Sequence, residues 1–126
     1  MGDYVPQPKP ALHEETFTAE LGTYGKWSVR MTTRFAVYRG QVRDFAISLW
    51  VLASGEQFEI EAVDCCHGQL HRHRMYSSDP YDRQADKALI RELHRGDEAI
   101  VDIEYDVQYR WMGNNWESLV RRWNDG

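Results

Sequence analysis

The chain has 126 residues, 42% hydrophobic and 28% charged, with five Trp and seven Tyr; this balance predicts one folded domain with its own core and excludes a disordered chain. A formal net charge of -5 gives the surface as a whole no electrostatic footprint for long nucleic acid, so any such contact has to be local. No apolar run approaches the roughly 18–20 residues of a membrane span, and Met1–Pro10 hold no apolar signal core, so a cytoplasmic protein with no membrane partner is expected.

At the N-terminus, Pro6, Pro8 and Pro10 are spaced at two, which predicts an extended, polyproline-like arm over residues 1–15. Residues 16–126 then form the single domain. Lys26–Tyr38 alternates Trp27, Val29, Met31, Thr33, Phe35 and Val37 with Ser28, Arg30, Thr32 and Arg34, the pattern of a half-buried strand. Arg39-Gly40-Gln41 turns the chain into a second strand, Val42–Leu52, with Phe45, Ile47, Leu49 and Val51 on one face. After Ser54-Gly55-Glu56, Gln57–Val63 reads as a third strand with Phe58, Ile60 and Ala62 inward and Glu59 and Glu61 outward. The expected sheet is an antiparallel meander with one wet face and one face that needs a cover.

The next eleven residues, Asp64-Cys65-Cys66-His67-Gly68-Gln69-Leu70-His71-Arg72-His73-Arg74, gather most of the chain's reactive side chains. On a fourth strand beginning at His71, His71 and His73 point to one face and Arg72 and Arg74 to the other. With Asp64 and His67 returned by a turn at Gly68, the imidazoles could serve as general acid and base on a phosphodiester, Arg72 or Arg74 holding the phosphate. The same side chains suit a transition metal, but Asp64, His67, His71 and His73 match no established ligand spacing, so neither metal nor cofactor is expected. A polar strand paired to surface carboxylates such as Glu59 and Glu61 accounts for the residues equally well. The adjacent Cys65 and Cys66 are poorly placed to bridge each other, and fit a reducing compartment.

Asp79-Pro80 predicts a helix start, with Asp79 as N-cap, and Arg95-Gly96 its end after His94. From Asp97 to about Trp123, Val101, Tyr105, Tyr109, Met112, Trp116, Leu119 and Trp123 recur at helical steps, predicting one long helix laid across the sheet. Strict alternation over 99–111 offers a strand as the competing reading. The aromatic stripe reads as core rather than a base-stacking platform, and Arg95-Gly96-Asp97 as a helix junction rather than an adhesion tripeptide. No GxGxxG, phosphate-loop or GxSxG pattern is present. The fold class expected is α+β: an antiparallel meander of three to four strands covered by one or two C-terminal helices.

With these elements placed, the chain resembles the small prokaryotic proteins of the TumE type found in toxin-antitoxin pairs, and related uncharacterised prokaryotic or phage proteins. The resemblance rests on Asp64-Cys65-Cys66-His67-Gly68, the following His71-Arg72-His73, and Asn115-Trp116-Glu117 through Arg121-Arg122-Trp123, and spans roughly residues 27–123. It implies a toxin-like, RNA-acting role carried by Asp64, His67, His71 and His73, with RNA as partner. The Cys65-Cys66 pair and the acidic helix beginning at Asp97 depart from the pattern, and leave a non-catalytic module that binds a protein partner or a second copy as the alternative.

Overall fold

The computed structural model describes residues 2–6, 11–66 and 68–126. Six strands, β1 (His13–Tyr24), β2 (Trp27–Tyr38), β3 (Gln41–Ala53), β4 (Glu56–Cys66), β5 (Gln69–Arg74) and β6 (Lys87–Glu92), are followed by one helix, α1 (Glu98–Asp125). The strands pair in chain order, each antiparallel to the next, so β1 and β6 are the two edges. The meander and its helical cover follow from the sequence pattern, with more strands than expected.

Two tight hairpins are set by local chemistry. Arg39 and Gly40 have φ of 52° and 76°, and Ser54 and Gly55 have φ of 53° and 82°. Positive φ at both central residues is the requirement of the hairpin turn whose twist suits the flanking strands, and glycine at the second position removes half of its steric cost. These turns hold β2, β3 and β4 in a register where Val29, Met31, Phe45, Ile47, Leu49 and Val51 reach the same side and are buried. Each such side chain contributes about 1.5–3 kcal/mol by leaving water.

The cover is α1. Val101, Met112, Leu119, Val120 and Trp123 are buried against the sheet, and Trp123 sits between Trp27 and Phe58 at centroid distances of 5.6 and 5.5 Å. Tyr105 packs on Phe35 and Phe45, and Tyr109 on Phe17. The helical stripe therefore prevails over the alternation of 99–111. A strand would have put Ile103 and Val107 on the same face as Val101 and Tyr105, whereas both are exposed, at 61% and 47%.

Three expectations need correction. Residues 79–94 do not form a helix: Asp79 and Asp82 lie in turns, the Asp82 carboxylate accepts from the Gln84 amide, and 87–92 is β6. The helix-forming residues Ala88, Leu89, Arg91 and Glu92 are overridden because β5 exposes an open backbone edge that β6 satisfies, a tertiary demand stronger than propensity. The second correction is β1, whose first residues His13–Glu15 the proline pattern assigns to the arm; its acids and Gly22 conceal a strand that only pairing with β2 reveals. Of that arm, residues 2–6 carry Tyr4, which is buried, donates its amide to the Leu93 carbonyl and its hydroxyl to the Arg43 carbonyl. Pro8 and Pro10 lie outside the described residues.

The third correction concerns Glu61, which is fully buried rather than outward. The pairing of β3 with β4 slips between Leu49 and Trp50, so Leu49 faces Glu61 while Trp50 faces Glu59, and Ile60 is the extra residue of a bulge. Beyond it the alternation changes sides, which sends Glu61 and Val63 under the helix and Ala62 and Asp64 to the open face. There the Glu61 carboxylate meets Arg122 of α1 at 3.1 Å and Arg72 and Arg74 of β5 at 3.4 and 3.5 Å. Arg122 also donates to the carbonyls of Ile60 and Met75. Burial pushes the Glu61 pKa above the ordinary carboxylate value, opposed by Arg122, Arg74 and Arg72 in that order.

Arg122→Met is expected to destabilise the fold by about 3–5 kcal/mol, because it leaves a buried carboxylate short of its nearest cation, strips the Met75 carbonyl of the Arg122 donor and leaves the Ile60 carbonyl with the Met75 amide alone. Urea unfolding measures it. Arg110→Met, which removes an exposed pair with Asp106, serves as the comparison and should leave the midpoint unmoved.

Candidate functional site

The register of β4 with β5 decides which polar side chains meet. Asp64 lies opposite His71 and Ala62 opposite His73, so these four share the face of the sheet away from α1. Val63 lies opposite Arg72 and Glu61 opposite Arg74, on the side of the helix. The histidines and arginines of β5 are thus separated by the thickness of the sheet, as strand alternation requires.

On the open face the two imidazoles are 6.2 Å apart, centroid to centroid, and His71 and His73 are only 7% and 5% exposed. His73 is held at both nitrogens. Its Nδ1 lies 2.9 Å from the Arg83 carbonyl, which can only accept, so Nδ1 carries the proton of that hydrogen bond. Its Nε2 is 3.4 Å from Asp64 Oδ2. The Arg83 guanidinium reaches the same carboxylate oxygen at 3.7 Å and Glu59 at 2.9 Å. Glu59, Arg83, Asp64 and His73 therefore form one connected row, closed from above by the segment between β5 and β6. Farther along the same face Arg34 pairs with Asp44 at 3.3 Å, and the Trp50 indole donates to Thr32.

On the helix side Arg72 is stacked on Trp111, 4.2 Å from the ring centre, and donates to Gln108 Oε1 at 2.7 Å. Cation–π contact and a charge-assisted hydrogen bond hold it there beside Glu61. Arg74 is the more exposed of the two. A recess of about 320 Å³ opens next to them, bounded by Asp86, Ala88, Leu89 and Ile90.

The structure thus brings Asp64, His71 and His73 together and puts Arg72 and Arg74 elsewhere. His67 lies outside the described residues. Arg83 enters the row unannounced: its segment reads as a helix in the sequence, and no local signal marks a loop returning over β4 and β5. Gln108 and Arg122 are equally hidden, since their partners are separated from them by 36 and 61 positions. Among the described residues no three or more His, Cys, Asp and Glu side chains converge as a metal-binding group. Cys65 and Cys66 are free thiols, and burial pushes the Cys65 thiol well above its ordinary pKa, which keeps it in the unreactive protonated form. No helix among the described residues is long and apolar enough to cross a membrane.

No protein family, curated protein or solved structure matches this chain significantly.

The His73 bond to the Arg83 carbonyl ties the returning segment to the sheet. His73→Ala should release it, and trypsin should then cut after Arg83 several-fold faster than in the parent, measured by mass spectrometry of timed digests; equal rates would show that the segment is held by other contacts.

Proposed function

We propose that this protein is a non-catalytic interaction module that takes an extended, acidic segment of a protein partner as an added strand on β6. The observation that carries the reading is the character of that edge. β6 is the last strand of the sheet, five of its six residues are exposed, and Leu89 presents 53% of its surface to solvent. An edge strand offers a row of backbone donors and acceptors to an incoming strand, and an exposed apolar side chain gives that strand an anchor. Lys87 and Arg91 flank Leu89, with Arg95 just beyond the strand. Together these three cations outnumber Glu92, the acid of the strand, and the excess of positive charge favours an acidic partner. The other edge, β1, carries Glu14, Glu15 and Glu20 and would repel the same partner.

An isotope-labelled sample titrated with acetyl-Val-Glu-Val-Glu-Val-amide tests the reading. Amide signals of 87–91 should shift and gain protection from exchange, and Leu89→Glu should weaken binding about tenfold or more, the cost of an apolar anchor replaced by a like charge. Shifts confined to β1 or to the open face, or none at all, would reject it.

A second reading, the toxin-like ribonuclease, is favoured by one arrangement: His71 and His73 share a face with Asp64, and Arg83 provides a cation on that same side. In it the imidazoles exchange protons with a phosphodiester, Asp64 orients His73, and Arg83 rather than Arg72 or Arg74 meets the phosphate. The parent chain would then degrade total RNA, and a His71→Ala, His73→Ala double variant would not. Intact RNA in both samples removes this reading and leaves the first in place.

A further inference from the structure

We infer that the recess between β5, β6 and α1 is a binding site for an oxyanion, a carboxylate or a phosphate group, held by Arg74 and Arg72. The inference stands apart from strand addition on β6. It begins with the distribution of charge around Glu61. Arg122 donates through Nη2 to one carboxylate oxygen, Oε1, and to the Ile60 carbonyl, and through Nη1 to the Met75 carbonyl. The other oxygen, Oε2, is shared by the Nε atoms of Arg72 and Arg74 at 3.4 and 3.5 Å, so a single acceptor stands against two guanidiniums.

What those guanidiniums have left defines the site. Arg72 gives Nη2 to Gln108 and stacks on Trp111, which fixes its plane. Arg74 makes no ion pair beyond Glu61 among the described residues, and its side chain is 39% exposed. Both line the recess of about 320 Å³, more than a phosphate or an acetate group requires. Ala88 lies opposite Arg72 in the ladder, and its methyl group leaves the space a larger side chain would fill. Asp86 is the acid that also faces this space, and its carboxylate accepts from the Tyr76 hydroxyl. Three guanidiniums meet at Glu61, whose carboxylate and that of Asp86 are the acids at the recess, with Glu104 one step away beyond Gln108, in a protein whose net charge is -5. Planar guanidiniums held by stacking and by a buried carboxylate are preorganised donors, the arrangement that recognises an oxyanion in two-point fashion.

Inorganic phosphate and acetate, titrated separately into the labelled protein at constant ionic strength, test the site. The arginine Nε–H signals of residues 72 and 74 should move saturably with at least one of the two anions, and which anion does so identifies the group the site prefers. Arg74→Gln should weaken that binding about tenfold, the loss of one charge-assisted hydrogen bond, while Arg110→Gln on the outer face of α1 should leave it unchanged. If Arg74→Gln does not fold, the parent's Nε–H signals decide alone. Linear, non-saturating shifts with both anions, or equal binding by Arg74→Gln, overturn the inference.

Discussion

Glu61 is the constraint around which the molecule is arranged. A carboxylate with no solvent exposure is costly unless its oxygens are paired, and here three arginines from two elements supply the pairing. The bulge at Ile60 places the carboxylate under the helix, and Arg122 converts that position into an anchor for the end of α1 by bonding the bulge carbonyl as well. Helix, bulge and fifth strand are thus joined at one point, and none can shift without leaving a buried charge unpaired.

The same point partitions the chemistry of β5. Because Glu61 draws Arg72 and Arg74 beneath the helix, alternation delivers His71 and His73 to the opposite face, where Asp64, Arg83 and Glu59 receive them. A strand that looks in sequence like one dense reactive cluster becomes two half-sites with a sheet between them. One is a row of ion pairs and a single hydrogen bond in which the imidazoles are buried and the Arg83 side chain stays partly exposed. The other is an open hollow lined by Arg72 and Arg74 beside an exposed edge. In that division the cations nearest in sequence to the imidazoles lie across the sheet from them.

Charge is distributed with comparable asymmetry across the sheet. The β1 edge is acidic and the β6 edge basic, although the chain as a whole is acidic. Edge strands leave backbone groups open as templates for pairing, so the sign of the charge each edge carries bears on which chains approach it.

Local physics was sufficient for the middle strands and the helix. Alternating apolar residues in 27–38 and 42–52 and glycine at the second position of each tight turn point to one conformation irrespective of the rest of the chain, and both occur; over 99–111 a strand alternation competes with the helical stripe, and the stripe, which continues to Trp123, is the pattern the fold adopts. The alternation of His and Arg along β5 was legible for the same reason, since strand geometry depends on sequence position alone. Tertiary structure decided the remainder: that 87–92 is a strand because β5 had an edge to satisfy, that the acidic segment 13–24 pairs with β2, that a bulge buries Glu61, and that Arg83 returns over His73. None of these could be read locally, because each is a contest between a weak intrinsic preference and a contact made by residues distant in the chain, and only the folded arrangement determines which contacts are available.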